Sequence, residues 1–571
     1  MRLNLRLTLL AFVVLLGCAL LMSTLSFRQF EQSIAPAVSS KVDTVAASIE
    51  KSIGTALDIG IPFNKLQGMD EFFDSIRQAN PEIYGIALFP SQGAPYQSSG
   101  YLLASERPDT IITQYPLRHD NRTLGELKIL IDGAFAQKKS EELRLDVLTV
   151  IIVSVIIAVE LIVFIVSYNF SGPTQRIEFI RWPFFLLIFS ESLSLSFFPV
   201  YVGQMQIPDL GLSREFVVGL PISLFMFIWA LSLPGGGVWS DTVGRRRAFI
   251  FGALLTSIGL VLTAFAYSLF DLLLWRSMTA IGYGIVFITV QGFVTDHTDN
   301  SNRNRGMATF VATFFAGSLS GAAIGGILAD HISMPIIFML SALLSLGAAL
   351  FVARFIVGGG GQARPKLTLA SIRAVCRDRA FLMVTFFSAI PSKVALTGFL
   401  YFSAPLFLSS LEVSKSTTGR ALMLYGLMII CLSPVVAQYA ERLKSRLLLV
   451  LAGGVLGALA IAQLAWSPTL FGVMTSIALL GLAHAISVPS QLTFITETNQ
   501  TLCNELGLGQ VVGIFRLMER VGNILGPLIA GLFITLFGLT DAFIWLSLLI
   551  GAATVILGFW TLNHKKLVSK Q

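Results

Sequence analysis

The chain has 571 residues, of which 54% are hydrophobic and 13% charged, and apolar stretches of membrane-spanning length recur from one end to the other. That balance excludes an ordinary soluble protein. The formal net charge of +7 is spread over short segments beside apolar runs, which argues against a nucleic-acid partner and for orientation signals facing anionic lipid. The four cysteines, Cys18, Cys376, Cys431 and Cys503, imply neither a disulfide framework nor a metal cluster. The sequence contains no P-loop, nucleotide-binding glycine pattern or catalytic triad, so enzymatic catalysis is not expected and no cofactor is implied.

Arg2 and Arg6 precede an apolar run from Leu7 to about Leu25, so residues 1–27 read as a signal anchor that spans the membrane. Leu15-Leu16-Gly17-Cys18 is similar to a lipoprotein cleavage site, but Ala19 to Leu21 continue the apolar run where a mature lipoprotein turns polar. Residues 28–144 turn soluble in composition. Ile34, Val38, Val42, Val45, Ile49, Ile53 and Leu57 recur at helical steps, and Asp70 to Ala79 reads as a second helix stopped by Asn80-Pro81. Strand-like runs follow at Ile83–Phe89, Thr110–Tyr115 and Leu124–Ile131, separated by turn residues. This order, with the runs Tyr84–Phe89 and Leu124–Ile129, resembles the extracytoplasmic PAS-like (Cache) sensor domains of bacterial receptors. The resemblance implies a small ligand or periplasmic partner for this domain. Tyr84, Tyr96, Tyr115 and Arg118 are the residues that would line its pocket, although half-buried strand aromatics more often fill a core.

Residues 145–168 form a second span with Glu160 inside it, followed by a linker, 169–181, carrying Arg176 and Arg181. About twelve further spans begin near Pro183, Glu215, Ala248, Phe270, Gly306, Pro335, Ala380, Gly419, Leu447, Pro468, Leu508 and Asp541. They divide into a first bundle, 182–357, and a second, 380–562. Between them lies a basic, glycine-rich linker, 358–379, and after them a tail, 563–571. Arginine and lysine in alternate loops put both termini in the cytoplasm and residues 28–144 in the periplasm of a bacterial inner membrane.

The short stretch between the second and third of these spans holds Gly237, Asp241, Gly244, Arg245 and Arg246, with Asp241 placed to cap or ion-pair a neighbouring helix end. This Gly-x3-Asp-x2-Gly-Arg-Arg spacing resembles the conformational loop of the major facilitator superfamily of secondary transporters, with Thr242 where the family usually has a basic residue. The halves also repeat each other. Thr295-Asp296 matches Thr496-Glu497, and Gly306, Gly321 and Gly325 match Gly507, Gly522 and Gly526, at a shift of about 201 residues. Gly317, Gly321 and Gly325 are also similar to the helix-packing motif of exporting antiporters, with Ala322 in place of its proline. The proline form stands in the second half as Gly522, Gly526 and Pro527.

The fold class expected is therefore mainly α and polytopic: two six-helix repeats, plus two extra N-terminal spans enclosing a small α+β PAS-like domain. The resemblance implies a proton-coupled carrier of a small-molecule solute working by alternating access, with export favoured. The alternative is a membrane receptor that binds a ligand through the outer domain without net transport. Glu191, Arg276, Lys393 and His484 fall deep in the first, fourth, seventh and tenth spans, where ionisable groups mark pathways. Arg516, Glu519 and Arg520 add a cluster on the eleventh whose spacing permits mutual pairing. Cations outnumber acids in this set. An anionic or zwitterionic solute is expected, with Glu191 as the proton carrier.

Overall fold

The computed structural model describes residues 40–80, 82–90, 95, 97–100, 110–119, 122–133, 135–170, 177–206, 211–298, 303–356, 369–442 and 446–563. The expected anchor at 1–27, Tyr96, Arg176, most of the linker 358–379 and nearly all of the tail lie outside them. The chain forms two compact units, one within Leu9–Ile152 and the other from Val153 onward.

In the first unit, helix α1 (40–58) buries Val42, Ala46, Ile49 and Ile53, one apolar stripe at three- and four-residue steps. Helix α2 (Met69–Ala79) ends where the Asn80 side chain donates to the Ile76 carbonyl at 2.7 Å. Four antiparallel strands follow: β1 (Ile83–Pro90), β2 (Gln97–Ser99), β3 (Thr110–His119) and β4 (Arg122–Asp132), in the sheet order β2-β1-β4-β3. Ile86 faces Ile129 and Leu88 faces Leu127 across the β1–β4 pair, and these side chains close on the α1 stripe and Phe73. The short strand β2 has no apolar alternation and escapes a reading by pattern. The sheet is followed by helix α3 (Phe135–Phe170), a single run of 36 residues that holds the apolar segment Glu141–Ser167.

In the second unit, the first half contains α4 (Ile177–Ser192), α5 (Phe198–Gln204), α6 (Arg214–Val243), α7 (Arg245–Ala264), α8 (Leu269–Asp296), α9 (Arg303–His331) and α10 (Met334–Phe355). A short helix, α11 (Leu369–Val375), lies inside the expected linker. The second half contains α12 (Arg379–Ser410), α13 (Lys415–Arg442), α14 (Arg446–Ala462), α15 (Leu470–Thr498), α16 (Gln500–Leu506), α17 (Leu508–Phe537) and α18 (Asp541–Asn563). Among the described residues, twelve helices are long and apolar enough to cross a membrane. One is in α3, and eleven belong to the two halves.

Three expectations change. The first span of the first half is not one long helix: α4 ends at Ser192 and the chain continues through i→i+3 turns at Leu195 and Phe197 before α5. The cause is the run Ser190 to Ser196, in which the Ser190 and Ser194 hydroxyls donate to the carbonyls of Leu187 and Glu191 and compete with the helical ladder. Second, α4 starts at Ile177, so Arg181 is helical and not part of a linker. It donates from two nitrogens to the Glu160 carboxylate of α3, at 3.1 and 2.6 Å. Third, the stretch from Gly237 is not a polar turn, because α6 continues to Val243 and only Gly244, at φ 89°, separates it from α7.

Helix α12 is irregular in the opposite sense. It carries wide π turns at Thr385–Ala389 and Ala395–Ser403, on either side of the α turn that holds Lys393. Wide turns of this kind concentrate at functional sites.

Candidate functional site

Close packing of small residues sets the positions of the charged side chains. On α9, a Cβ at Gly317 would meet the Phe185 carbonyl at 3.0 Å, one at Gly321 the Phe189 carbonyl at 2.6 Å, and one at Gly325 would overlap the Leu193 carbonyl. The backbone of α9 therefore lies directly on α4. In the second half Gly522 and Gly526 bring α17 onto α12, against the Ile390 carbonyl and against Thr397 and Gly398. Pro527 lies further along α17 and its carbonyl is 2.9 Å from a Cβ placed at Gly219 of α6.

The first half contributes a closed ion pair. Arg276 of α8 donates to both oxygens of Glu191 at 2.5 and 3.3 Å, and both side chains are buried. The guanidinium also lies 4.7 Å from the ring centres of Phe198 and Phe225. Arg276 stands seven residues into α8, roughly 10 Å from the helix end at 1.5 Å per residue.

The second half contributes an unbalanced group nearer mid-depth. On α17, Arg516 donates to Glu519 at 2.9 Å, and the Lys393 ammonium of α12 is 3.9 Å from the same carboxylate oxygen. Arg520 lies 3.9 Å over the Trp229 ring of α6 and 5.7 Å from Phe287 of α8. Four polar atoms here, Glu519 Oε2, Arg520 Nε, Asn523 Oδ1 and Trp229 Nε1, are buried without a hydrogen-bond partner. His484 of α15 and the Tyr425 hydroxyl hydrogen-bond each other at 2.9 Å, and Gln491 donates to Ser388 at 2.8 Å.

The structure thus brings Lys393, Arg516, Glu519 and Arg520 together, sets Glu191 and Arg276 apart as a pair of their own, and gives His484 a hydroxyl partner. Trp229, Tyr425 and Gln491 were not singled out from the sequence, because aromatic and amide residues inside apolar runs read as core.

At the corner between α6 and α7, Arg245 is buried. It pairs with Asp241, donates to Asp296 at 2.8 Å and to Ser240 at 2.9 Å, while Arg246 donates to the Ala353 carbonyl at 2.5 Å. Asp241 thus partners Arg245 of the next helix and does not cap a helix end. Gly237 packs on the Ile288 side chain, 3.3 Å from a Cβ built there. The equivalent corner of the second half pairs Arg446 with Glu497 at 3.7 Å, each 201 residues beyond Arg245 and Asp296.

Across the halves, α6 packs on α17 and α9 on α13. Both contacts tighten at the end away from the Arg245 corner. There a Cβ at Gly531 would meet the Glu215 carbonyl at 3.0 Å, and one at Gly419 would overlap the Ala322 carbonyl. Asp330 of α9 also accepts from the backbone N–H groups of Lys415 and Ser416 at 3.0 and 2.7 Å, so one half caps a helix of the other. Toward the arginine corner, Cβ atoms at Gly235 and Gly513 would meet nothing within 4 Å. The close contacts between the halves gather at the end away from the arginine corner.

In the outer unit, the Tyr84 hydroxyl donates to Asp132 and the Tyr115 hydroxyl to Asp43, each at 2.6 Å, so both rings tie the unit to itself. Burial, then the Asp43 carboxylate, push the Tyr115 phenol above its ordinary range. Arg118 is exposed.

Two six-helix repeats that meet across a charged centre at membrane depth define a multi-pass membrane protein with an inter-half polar site. A family model described as the Major Facilitator Superfamily matches residues 184–500, more than half of the sequence, and the chain belongs to that family. "Probable anion transporter 1, chloroplastic" from Oryza sativa subsp. japonica is 31% identical over 165 residues, 28% of this chain and 31% of the relative. This chain therefore spans about a third of that relative's length. "Multidrug resistance protein MdtG" from Proteus mirabilis is 23% identical over 377 residues, 65% of this chain and 91% of the relative. A POT family transporter in complex with a thioalcohol-conjugated peptide superimposes with a TM-score of 0.57 at 15% identity, over 69% of this chain and 98% of that one. A bacterial homologue of the human lysosomal transporter Spinster, inward-facing and unoccupied, gives 0.53 at 15% identity over 69% and 96%. These structural likenesses are likenesses of fold.

Proposed function

We propose that this chain is a secondary active transporter that moves a small anionic or zwitterionic solute by alternating access of its two halves, driven by the proton gradient. The central charge balance carries the reading: Lys393, Arg516 and Arg520 against Glu519 leave 3 − 1 = +2 where the halves face each other. Unbalanced cations at membrane depth are costly, and an anion supplies the missing charge. The printed name of the rice relative, an anion transporter, agrees with it. The glycine motifs on α9 and α17 serve to pack helices, so they carry no direction of transport.

Counterflow in proteoliposomes against a panel of carboxylates and inorganic phosphate tests this. Lys393→Ala is expected to weaken the solute that exchanges by roughly 100-fold, about 3 kcal/mol, by removing a buried charge contact. Binding without any exchange would favour a receptor instead.

The arginine corner faces the cytoplasm in this reading, and residues 28–144 form a periplasmic PAS-like domain that regulates the carrier. The β2-β1-β4-β3 order, with the first long strand beside the last, supports that assignment. In intact cells, a cysteine at Ser98→Cys is expected to react with an impermeant maleimide, and one at Gly360→Cys only after permeabilisation. The reverse pattern would invert the topology.

A further inference from the structure

Glu519 is the only acid in the central group of the described residues, and it serves two cations through one oxygen. Oε1 accepts from Arg516 at 2.9 Å and lies 3.9 Å from the Lys393 ammonium, while Oε2 has no partner. Glu191, by contrast, is held on both oxygens by Arg276, whose guanidinium packs on Phe198 and Phe225. We infer that Glu519 is the internal stand-in for the solute: a multivalent organic anion displaces it from Arg516 and Lys393, and the released carboxylate takes up a proton, so anion and proton load together. The inference deepens the anion-carrier reading and rests on it.

The three cations present +3 to the Glu519 carboxylate, and a bound dianion cuts that to 3 − 2 = +1, which weakens the charge that keeps Glu519 ionised. A dianion that engages Arg516 and Lys393 leaves the Glu519 carboxylate without the counter-charges that make its ionisation tolerable at that depth. Protonation then restores a neutral side chain, the proton coming from water. By linkage, whatever proton uptake the anion causes must return as tighter anion binding at lower pH. The neighbours that face this step are Lys393 on α12, Arg516 and Arg520 on α17 itself, and the Tyr283 hydroxyl on α8 near Arg520. His484 on α15 stays engaged with Tyr425. Arg520, parked on Trp229 with its Nε unpartnered, is the third cation available to the dianion and the one that touches the opposite half. Loading an anion there bears on both halves at once.

Calorimetric titration of the full-length protein with succinate, inorganic phosphate and acetate, in buffers of different ionisation enthalpy, tests the step. The expected result is tighter binding of succinate or phosphate than of acetate, an affinity that rises about tenfold per unit fall in pH at most, and proton uptake approaching one per anion. Glu519→Gln, which keeps the shape, should bind succinate without proton uptake and with an affinity independent of pH over the range where succinate is a full dianion. Glu191→Gln should keep the uptake. Anion binding with no proton uptake in the unsubstituted protein, or uptake that survives Glu519→Gln, would overturn the stand-in role and leave the anion-carrier reading intact. If none of the three anions binds, or if binding is indifferent to Lys393→Ala, both readings fail together.

Discussion

Arg276→Met is expected to leave little folded protein, and the double variant Arg276→Met/Glu191→Gln to restore most of it. The single change strands a carboxylate buried to 8% exposure without its counter-ion, and breaking one side of a buried pair costs about 3–5 kcal/mol. Removing both charges lifts that penalty, because the pair's attraction roughly offsets its own desolvation. Thermal melting followed by size-exclusion fluorescence reads the difference, and a double-mutant cycle gives the coupling. If both variants melt with the parent protein, the pair is not a structural clamp. If the restored double variant still accumulates solute on a proton gradient, Glu191 does not carry the proton.

Gly325→Val should be comparably damaging for a different reason. Its Cβ would overlap the Leu193 carbonyl, and a backbone atom in the turn segment between α4 and α5 cannot move aside as a flexible side chain does. Overpacking of this kind destabilises by about 3 kcal/mol. Gly526→Val is expected to do the same in the second half against Gly398 and Thr397. Gly347→Val on α10, where a Cβ would meet nothing within 4 Å, is the control and should express and melt normally. Equal behaviour of Gly325→Val and Gly347→Val would remove the packing role of the motif.

Much of this architecture can be read from the residues alone, because membrane depth imposes long apolar runs and helix contact imposes small residues at a fixed interval. The 201-residue shift that matches Gly325 with Gly526 also matches Arg245 and Asp296 with Arg446 and Glu497, and the paired corners follow from it. In the outer unit the apolar stripe from Val42 to Ile53 and the short apolar run Ile83–Phe89 each announce their element. What escaped is of two kinds. The break after Ser192 is hidden because alternating serine and leucine is equally compatible with a strand, a helix or a turn, and the π turns in α12 leave no mark in composition. The partners of the charged residues are the other kind. Glu191 and Lys393 both read as isolated ionisable groups, and only the helix packing shows that the first is satisfied by Arg276 whereas the second shares a single acid with Arg516.

The wide turns of α12 have a consequence for how the helix tolerates change in its length. A π turn is an α-helix that has swallowed an extra residue, so α12 stores two such insertions, one on each side of Lys393. Removing a residue from Thr385–Ala389 would let that segment relax to an ordinary helix while the turns on either side keep their faces, because the wide turn had already absorbed the extra residue. Moving a wide turn by one position along the chain would turn only the residue it passes, by about 100°, without any deletion. The helix that presents Lys393 therefore holds two places, one on each side of the charge, where a shift of the wide turn re-aims single side chains while the rest of the helix keeps its packing.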